Sequence, residues 1–172
     1  MPKVLLLFLL GALSLCVRAQ DDPEFRKEFL LALKTENGLA TNFHKGTDPS
    51  VMNLNLVPQL TLVEHHLRGG ITAGLFYQDQ RMQTLIGPSL FWKLKTLKAS
   101  VFGSVANIQL SGEHLWGSRG QRLIGGGIHL DALNKITLGP VIHRDYSNNQ
   151  WWFRFSVGYR LTKPKMPKEP FN

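Results

Sequence analysis

From Trp151 to Leu161, apolar and polar side chains alternate residue by residue. Trp151, Phe153, Phe155, Val157, Tyr159 and Leu161 occupy the odd positions, and Arg154, Ser156, Gly158 and Arg160 the even ones. A period of two sends these sets to opposite faces of a strand. Ile136, Leu138, Pro140 and Ile142 alternate in the same way with Thr137, Gly139 and His143, and Ser147-Asn148-Asn149 turns between the two segments. Further upstream, Ile124, Gly126, Ile128 and Leu130 alternate with Gly125, Gly127, His129 and Asp131.

Four more segments follow the pattern. Phe29, Leu31, Leu33, Leu39 and Phe43 alternate with Ala32, Lys34, Glu36, Gly38, Ala40 and Asn42; Leu54 to Leu62 alternate with Asn53, Asn55, Val57, Gln59 and Thr61. Ile71, Ala73, Leu75 and Tyr77 alternate with Thr72, Gly74, Phe76 and Gln78. After a polar turn at 78–81, Ile86, Pro88, Leu90, Trp92 and Leu94 alternate with Gly87, Ser89, Phe91, Lys93 and Lys95. A fifth strand near Ala99–Leu110 loses phase, because Val101 and Val105 share one parity and Ile108 and Leu110 the other. A bulge near Ala106-Asn107 restores it, and Ser111 to Gln121 reads as a loop. An amphipathic helix competes for residues 25–37. The count predicts an all-β fold, an eight-stranded antiparallel up-and-down barrel over 29–162.

Which face points inward decides between a soluble and a transmembrane barrel. One face carries Gly38, Gly74, Gly87, Gly125, Gly127, Gly139 and Gly158 with Lys34, Glu36, His129, Asp131, Arg154 and Arg160. Small residues interleaved with opposite charges can fill a narrow eight-stranded lumen, so these six polar residues are expected to form a lumen network. The other face is bulky and apolar, with the aromatics Tyr77, Trp92, Trp151, Phe153, Phe155 and Tyr159 facing lipid or a partner; that is the face order of a transmembrane β-barrel. A lipocalin-like soluble ligand-binding barrel is the inverted alternative.

Composition bears on location. Lys3, the apolar run Val4–Leu15 and Val17-Arg18-Ala19 read as a signal peptide over 1–19. Leu13-Ser14-Leu15-Cys16 is loosely like a lipobox, but Leu15 is too large for it. The chain's single cysteine, Cys16, falls in that segment, so no disulfide framework follows export. Without residues 1–19 the chain keeps 18 basic against 12 acidic residues. The basic residues form no helical stripe, and export removes the usual partner, which argues against nucleic acid. Residues 20–28 read as an N-terminal periplasmic segment. Residues 163–172 read as a basic, proline-rich periplasmic tail whose Lys163, Lys165 and Lys168 could contact a partner.

The segments Gly87-Pro88-Ser89-Leu90-Phe91-Trp92, Gly139-Pro140-Val141-Ile142 and Val57-Pro58-Gln59-Leu60, with Ala19 before Gln20 at the cleavage site, make the chain resemble the small eight-stranded outer-membrane β-barrel proteins common in Bacteroidota. The resemblance spans the mature chain and implies fold and location rather than an activity. A proline donates no ladder hydrogen bond, so the three prolines are expected at bulges or strand ends. Eleven residues follow Leu161, unlike the commonest pattern, in which the last strand's aromatic ends the chain; Phe171 could take that role.

Candidate chemistry is sparse. His129-Leu130-Asp131 and His143-Arg144-Asp145 place histidines near acids, as in lipid A acylhydrolases that use His, Ser and an acid. Here Asp131 stands where the serine would fall. Glu64-His65-His66 offers metal-ligand types, but neighbours on a strand diverge. His114, Leu115 and Trp116 suit a partner-contact loop. The expectation is a non-enzymatic outer-membrane barrel with no cofactor or metal, serving as accessory subunit or membrane anchor of an envelope complex. Its partners would be outer-membrane lipid and lipopolysaccharide, and a larger outer-membrane protein complex. A lipid A modifying enzyme is the alternative.

Overall fold

A computed structural model describes residues 27–43, 50–78, 80–99, 104–132 and 135–162. The expected signal peptide over 1–19, most of the segment 20–28 and the tail, with Lys163, Lys165, Lys168 and Phe171, lie outside the described residues. Eight strands form: β1 Phe29–Thr41, β2 Ser50–Val63, β3 Leu67–Gln78, β4 Arg81–Ala99, β5 Ser104–Gly117, β6 Arg122–Ala132, β7 Ile136–Asp145 and β8 Gln150–Arg160. Each pairs antiparallel with its sequence neighbours, and β8 returns to β1, so the sheet is a closed barrel. The helix alternative fails at Phe29–Thr41, which is strand throughout. Closure leaves no edge strand exposed among the eight.

The two faces separate as the alternation predicts. Along β8, Trp151, Phe153, Phe155, Val157 and Tyr159 are exposed, while Trp152, Arg154, Ser156, Gly158 and Arg160 are buried in the lumen. The same split runs through β2, where Met52, Leu54, Leu56 and Leu60 face out and Val51, Asn53, Asn55, Val57 and Gln59 face in. The resulting exterior is a wall of Leu, Ile, Val, Met and aromatic side chains, with Leu60 57% and Phe155 53% exposed.

The lumen is filled in three layers. At the end where β1 meets β2 and β7 meets β8, Ala40, Val51, Phe76, Leu85, Leu115, Leu123 and Trp152 form an apolar plug. Phe76 and Trp152 meet edge to face with centroids 5.3 Å apart, an arrangement favoured by the ring quadrupoles. The middle layer is ionic. At the opposite end, beside Phe29 and Leu161, Glu28 accepts from Arg68 at 3.1 Å and lies 2.8 Å from Arg160. Glu28, the last residue of the segment 20–28, thus joins the ion pairs at this end of the barrel. Its carbonyl accepts the Thr61 N–H, and the Leu31 carbonyl accepts that of Leu161; both bonds lie at this end of the barrel.

Strand β5 departs from expectation. The irregularity lies in β4, between Lys93 and Lys95, opposite Gln109 and Ile108, and not near Ala106-Asn107. With the extra residue in β4, β5 keeps one phase from Ala106 onward: Asn107, Gln109, Ser111, Glu113 and Leu115 are all buried. The strand runs on to Gly117, so Ser111–Gly117 is wall and not loop. Lys95, expected on the lumen face, is turned out to solvent by the same shift.

The three prolines also differ from expectation. Pro58, Pro88 and Pro140 lie inside β2, β4 and β7, and each marks a gap in one ladder only. Pairing with β3 skips from Leu56 to Gln59, pairing with β5 from Ile86 to Ser89, and pairing with β6 from Leu138 to Val141. The register is unchanged across each gap, so a rung is lost without a bulge. At Gly87 and Gly139, immediately before two of these prolines, a Cβ would overlap the carbonyls of His114 and Ile128 on the facing strand. Glycine is required there by close backbone approach.

Candidate functional site

The middle lumen layer is one charged network assembled from four strands. Lys34 and Glu36 lie two residues apart on β1 and so share a face. Lys34 Nζ donates to Glu113 Oε1 of β5 at 2.8 Å and lies 2.8 Å from Glu36 Oε1. Arg154 of β8 reaches Glu36 Oε2 at 2.6 Å. His143 of β7 lies between, its Nε2 3.2 Å from Glu113 Oε2 and its Nδ1 2.7 Å from Arg154 Nη2. A guanidinium only donates, so Nδ1 is the acceptor and the network assigns His143 as the neutral tautomer with its proton on Nε2, directed at Glu113. Thr72 of β3 donates to Glu113 and Asn53 of β2 to Glu36.

Two cations thus balance two carboxylates around a neutral histidine, all five side chains buried. Burying such a set is costly unless every charge is paired; here Glu113 accepts from Lys34 and Thr72, and Glu36 accepts from Asn53 and lies within ion-pair distance of Lys34 and Arg154. Arg154 also stacks 5.3 Å from the Trp152 ring, which joins the ionic layer to the apolar plug. The arrangement holds six strands in one register and blocks the lumen.

The six residues expected to form the network divide into four groups. Lys34, Glu36 and Arg154 meet as described. His129 instead pairs with Ser111, Nε2 to Oγ 2.8 Å, and that Oγ also accepts the Gly127 N–H at 3.0 Å. Asp131 accepts from Gln109 Nε2 at 2.7 Å, so it does not orient His129 as a catalytic acid would. Arg160 reaches Glu28 rather than Asp131. A cavity of about 40 Å³ lined by Lys34, Arg68, His129, Asp131 and Arg160 has room for a few waters, enough to satisfy His129 Nδ1. Ser111 and His129 are themselves buried.

Glu113, Glu28, Arg68 and the bridging role of His143 are additions from the structure. Glu113 shares parity with Asn107, Gln109 and Ser111, and that alternation was the available signal. Of the proposed contact loop, Leu115 is fully buried in the plug, whereas His114 and Trp116 project outward from β5. Tyr77, Trp151, Phe153, Phe155 and Tyr159 are exposed on the wall and Trp92 is half-buried there. Glu64, His65 and His66 form the β2–β3 turn, with His66 Nδ1 3.0 Å from the Glu64 carbonyl. Among the described residues no three metal-ligating side chains converge. No family model, curated protein or solved structure matches the chain.

Proposed function

We propose that this chain is an exported, transmembrane barrel of a bacterial outer membrane that serves without catalysis as an accessory subunit or anchor of an envelope complex. The observation that carries the reading is the inverted distribution of side chains: paired charges inside, and Leu, Ile, Phe and Trp outside around the closed wall. In water such a wall would be an exposed apolar surface far beyond the few hundred Å² usual for a soluble monomer; in lipid it is the solvated face.

The accessory role follows from what the barrel offers a partner. The lumen is filled from end to end. The connections at 64–66, 118–121 and 146–149 are three or four residues long, too short to build a receptor surface. Among the described residues the wall and rims offer contact surface, and the basic segment 163–172 is a further candidate. A tagged full-length copy extracted from envelopes in mild detergent is expected to bring a larger outer-membrane protein with it. Recovery as a lone polypeptide would overturn the accessory role, and recovery in the supernatant after envelopes are pelleted would overturn the membrane location.

A further inference from the structure

The wall changes character on β5 to β8 at the plugged end. Trp116 of β5 lies opposite Arg122 of β6. One register step nearer the middle, His114, Ile124, Arg144 and Trp151 form a continuous row across the four strands. His114 Nε2 lies 3.0 Å from the Tyr146 hydroxyl, and its ring centroid is 4.6 Å from that of Trp116. Arg144 stacks 5.2 Å from the Trp151 ring and donates to Asn149. Because Ile124 faces Arg144, Arg122 and Arg144 are diagonal neighbours, about 7–8 Å apart with their Cβ atoms somewhat closer. Two such side chains can reach one anion.

No carboxylate answers them among the described residues. Asp145, the nearest in sequence, points inward, fully buried, and accepts from the backbone N–H groups of Arg122, Ser147 and Asn148. Directly below the two arginines, toward the middle of the wall, a recess of about 390 Å³ is lined by Leu110, Gly126, Ile128, Pro140 and Ile142. Gly112 faces Gly126 across the β5–β6 ladder, and a Cβ added at Gly112 would meet nothing within 4 Å. At the same end of β1 to β4, the exterior carries Phe43, Met52, Tyr77 and Met82; Arg81, exposed at the tip of the β3–β4 hairpin opposite Gln78, shares the parity of buried Gln83 and Leu85. A uniform aromatic belt would not concentrate charge beside a recess.

We propose that β5 to β8 form a binding site for one lipid A molecule of the surrounding leaflet. A phosphate sits between Arg122 and Arg144, the Trp116, Tyr146 and Trp151 rings flank the headgroup, and an acyl chain lies in the recess. This rests on the transmembrane reading, under which the end away from Phe29 and Leu161 faces outward, into the leaflet that holds lipopolysaccharide. Guanidinium and phosphate match in geometry and charge, and aromatic rings with a polar edge suit the headgroup level.

The test is native mass spectrometry of the full chain extracted from envelopes and incubated with purified lipid A, with phosphatidylglycerol as competitor. The wild-type chain is expected to retain one lipid A. The Arg122→Gln/Arg144→Gln variant should retain at least tenfold less, as should Gly112→Phe, which occupies the recess mouth from an open position; Arg81→Gln should bind as wild type. Equal retention by the double arginine variant, equal loss in Arg81→Gln, or displacement by equimolar phosphatidylglycerol overturns the site. Folding of each variant is checked by heat-modifiable migration in gels. A chain that stays out of bilayers ends both the membrane reading and the site, whereas an inserted barrel indifferent to Arg122 and Arg144 ends the site alone.

Discussion

Glu113 is the residue on which the lumen turns. Its carboxylate accepts hydrogen bonds from Lys34 and Thr72 and faces His143, so Glu113→Leu leaves a buried ammonium with only Glu36 for balance, while Glu36 must also answer Arg154. Removing one partner of a buried charge set costs about 3–5 kcal/mol. The Lys34→Met/Glu113→Leu pair leaves Glu36 with Arg154 and a neutral His143, a balanced remainder. It is therefore expected to lie closer to wild type than either single variant, measured by urea titration of the folded barrel in detergent. A double variant as unstable as the sum of the singles would contradict the pairing. Lys34, Glu36 and Arg154 were legible as lumen charges because strict alternation fixes a face. Their partners were not, since parity says nothing about which strands converge across a lumen, and Arg160 meets Glu28 from outside the expected strand.

At the scale of the element, seven strands could be read from period two alone and β5 could not. Its phase break belongs to its neighbour: the irregularity at Lys93–Lys95 of β4 shifts the partner register, and a pairing irregularity is invisible in the sequence of the strand it affects. A strand ending at Leu110 leaves Ser111 and Glu113 in a loop, and Glu113 is one of the two carboxylates of the network. The proline strands carry the next prediction. Gly87 accepts the close approach of the His114 carbonyl, whereas Gly112, one strand away, has open space. Gly87→Ala is expected to destabilise the barrel by about 2–3 kcal/mol, at the upper end of ordinary substitutions, and Gly112→Ala by well under 1 kcal/mol. Equal midpoints for the two in a urea titration would contradict the tight β4–β5 approach.

For the whole molecule, the solvent of the outer wall is the question, and a single charge placed at mid-wall answers it. Phe155 is the central residue of the eleven in β8, faces outward and is 53% exposed. In water, replacing an exposed apolar side chain by arginine is close to neutral, within about 0.5 kcal/mol. At the midplane of a bilayer the same arginine costs about 2–4 kcal/mol, falling to about 0–1 near the interfaces. Phe155→Arg and Trp151→Arg lie on one face of one strand, four residues apart, and so sample the middle and the rim of the wall. In a bilayer the first is expected to lower the unfolding free energy by at least about 2 kcal/mol more than the second, measured by urea titration of barrels folded into vesicles. The Trp151 rim also loses its stacking on Arg144, which works against the expected order and makes the difference a conservative measure. If the two substitutions cost the same, and the Phe155→Arg protein gains solubility without detergent, the wall faces water and the transmembrane reading falls; a depth-dependent cost places β8 across lipid.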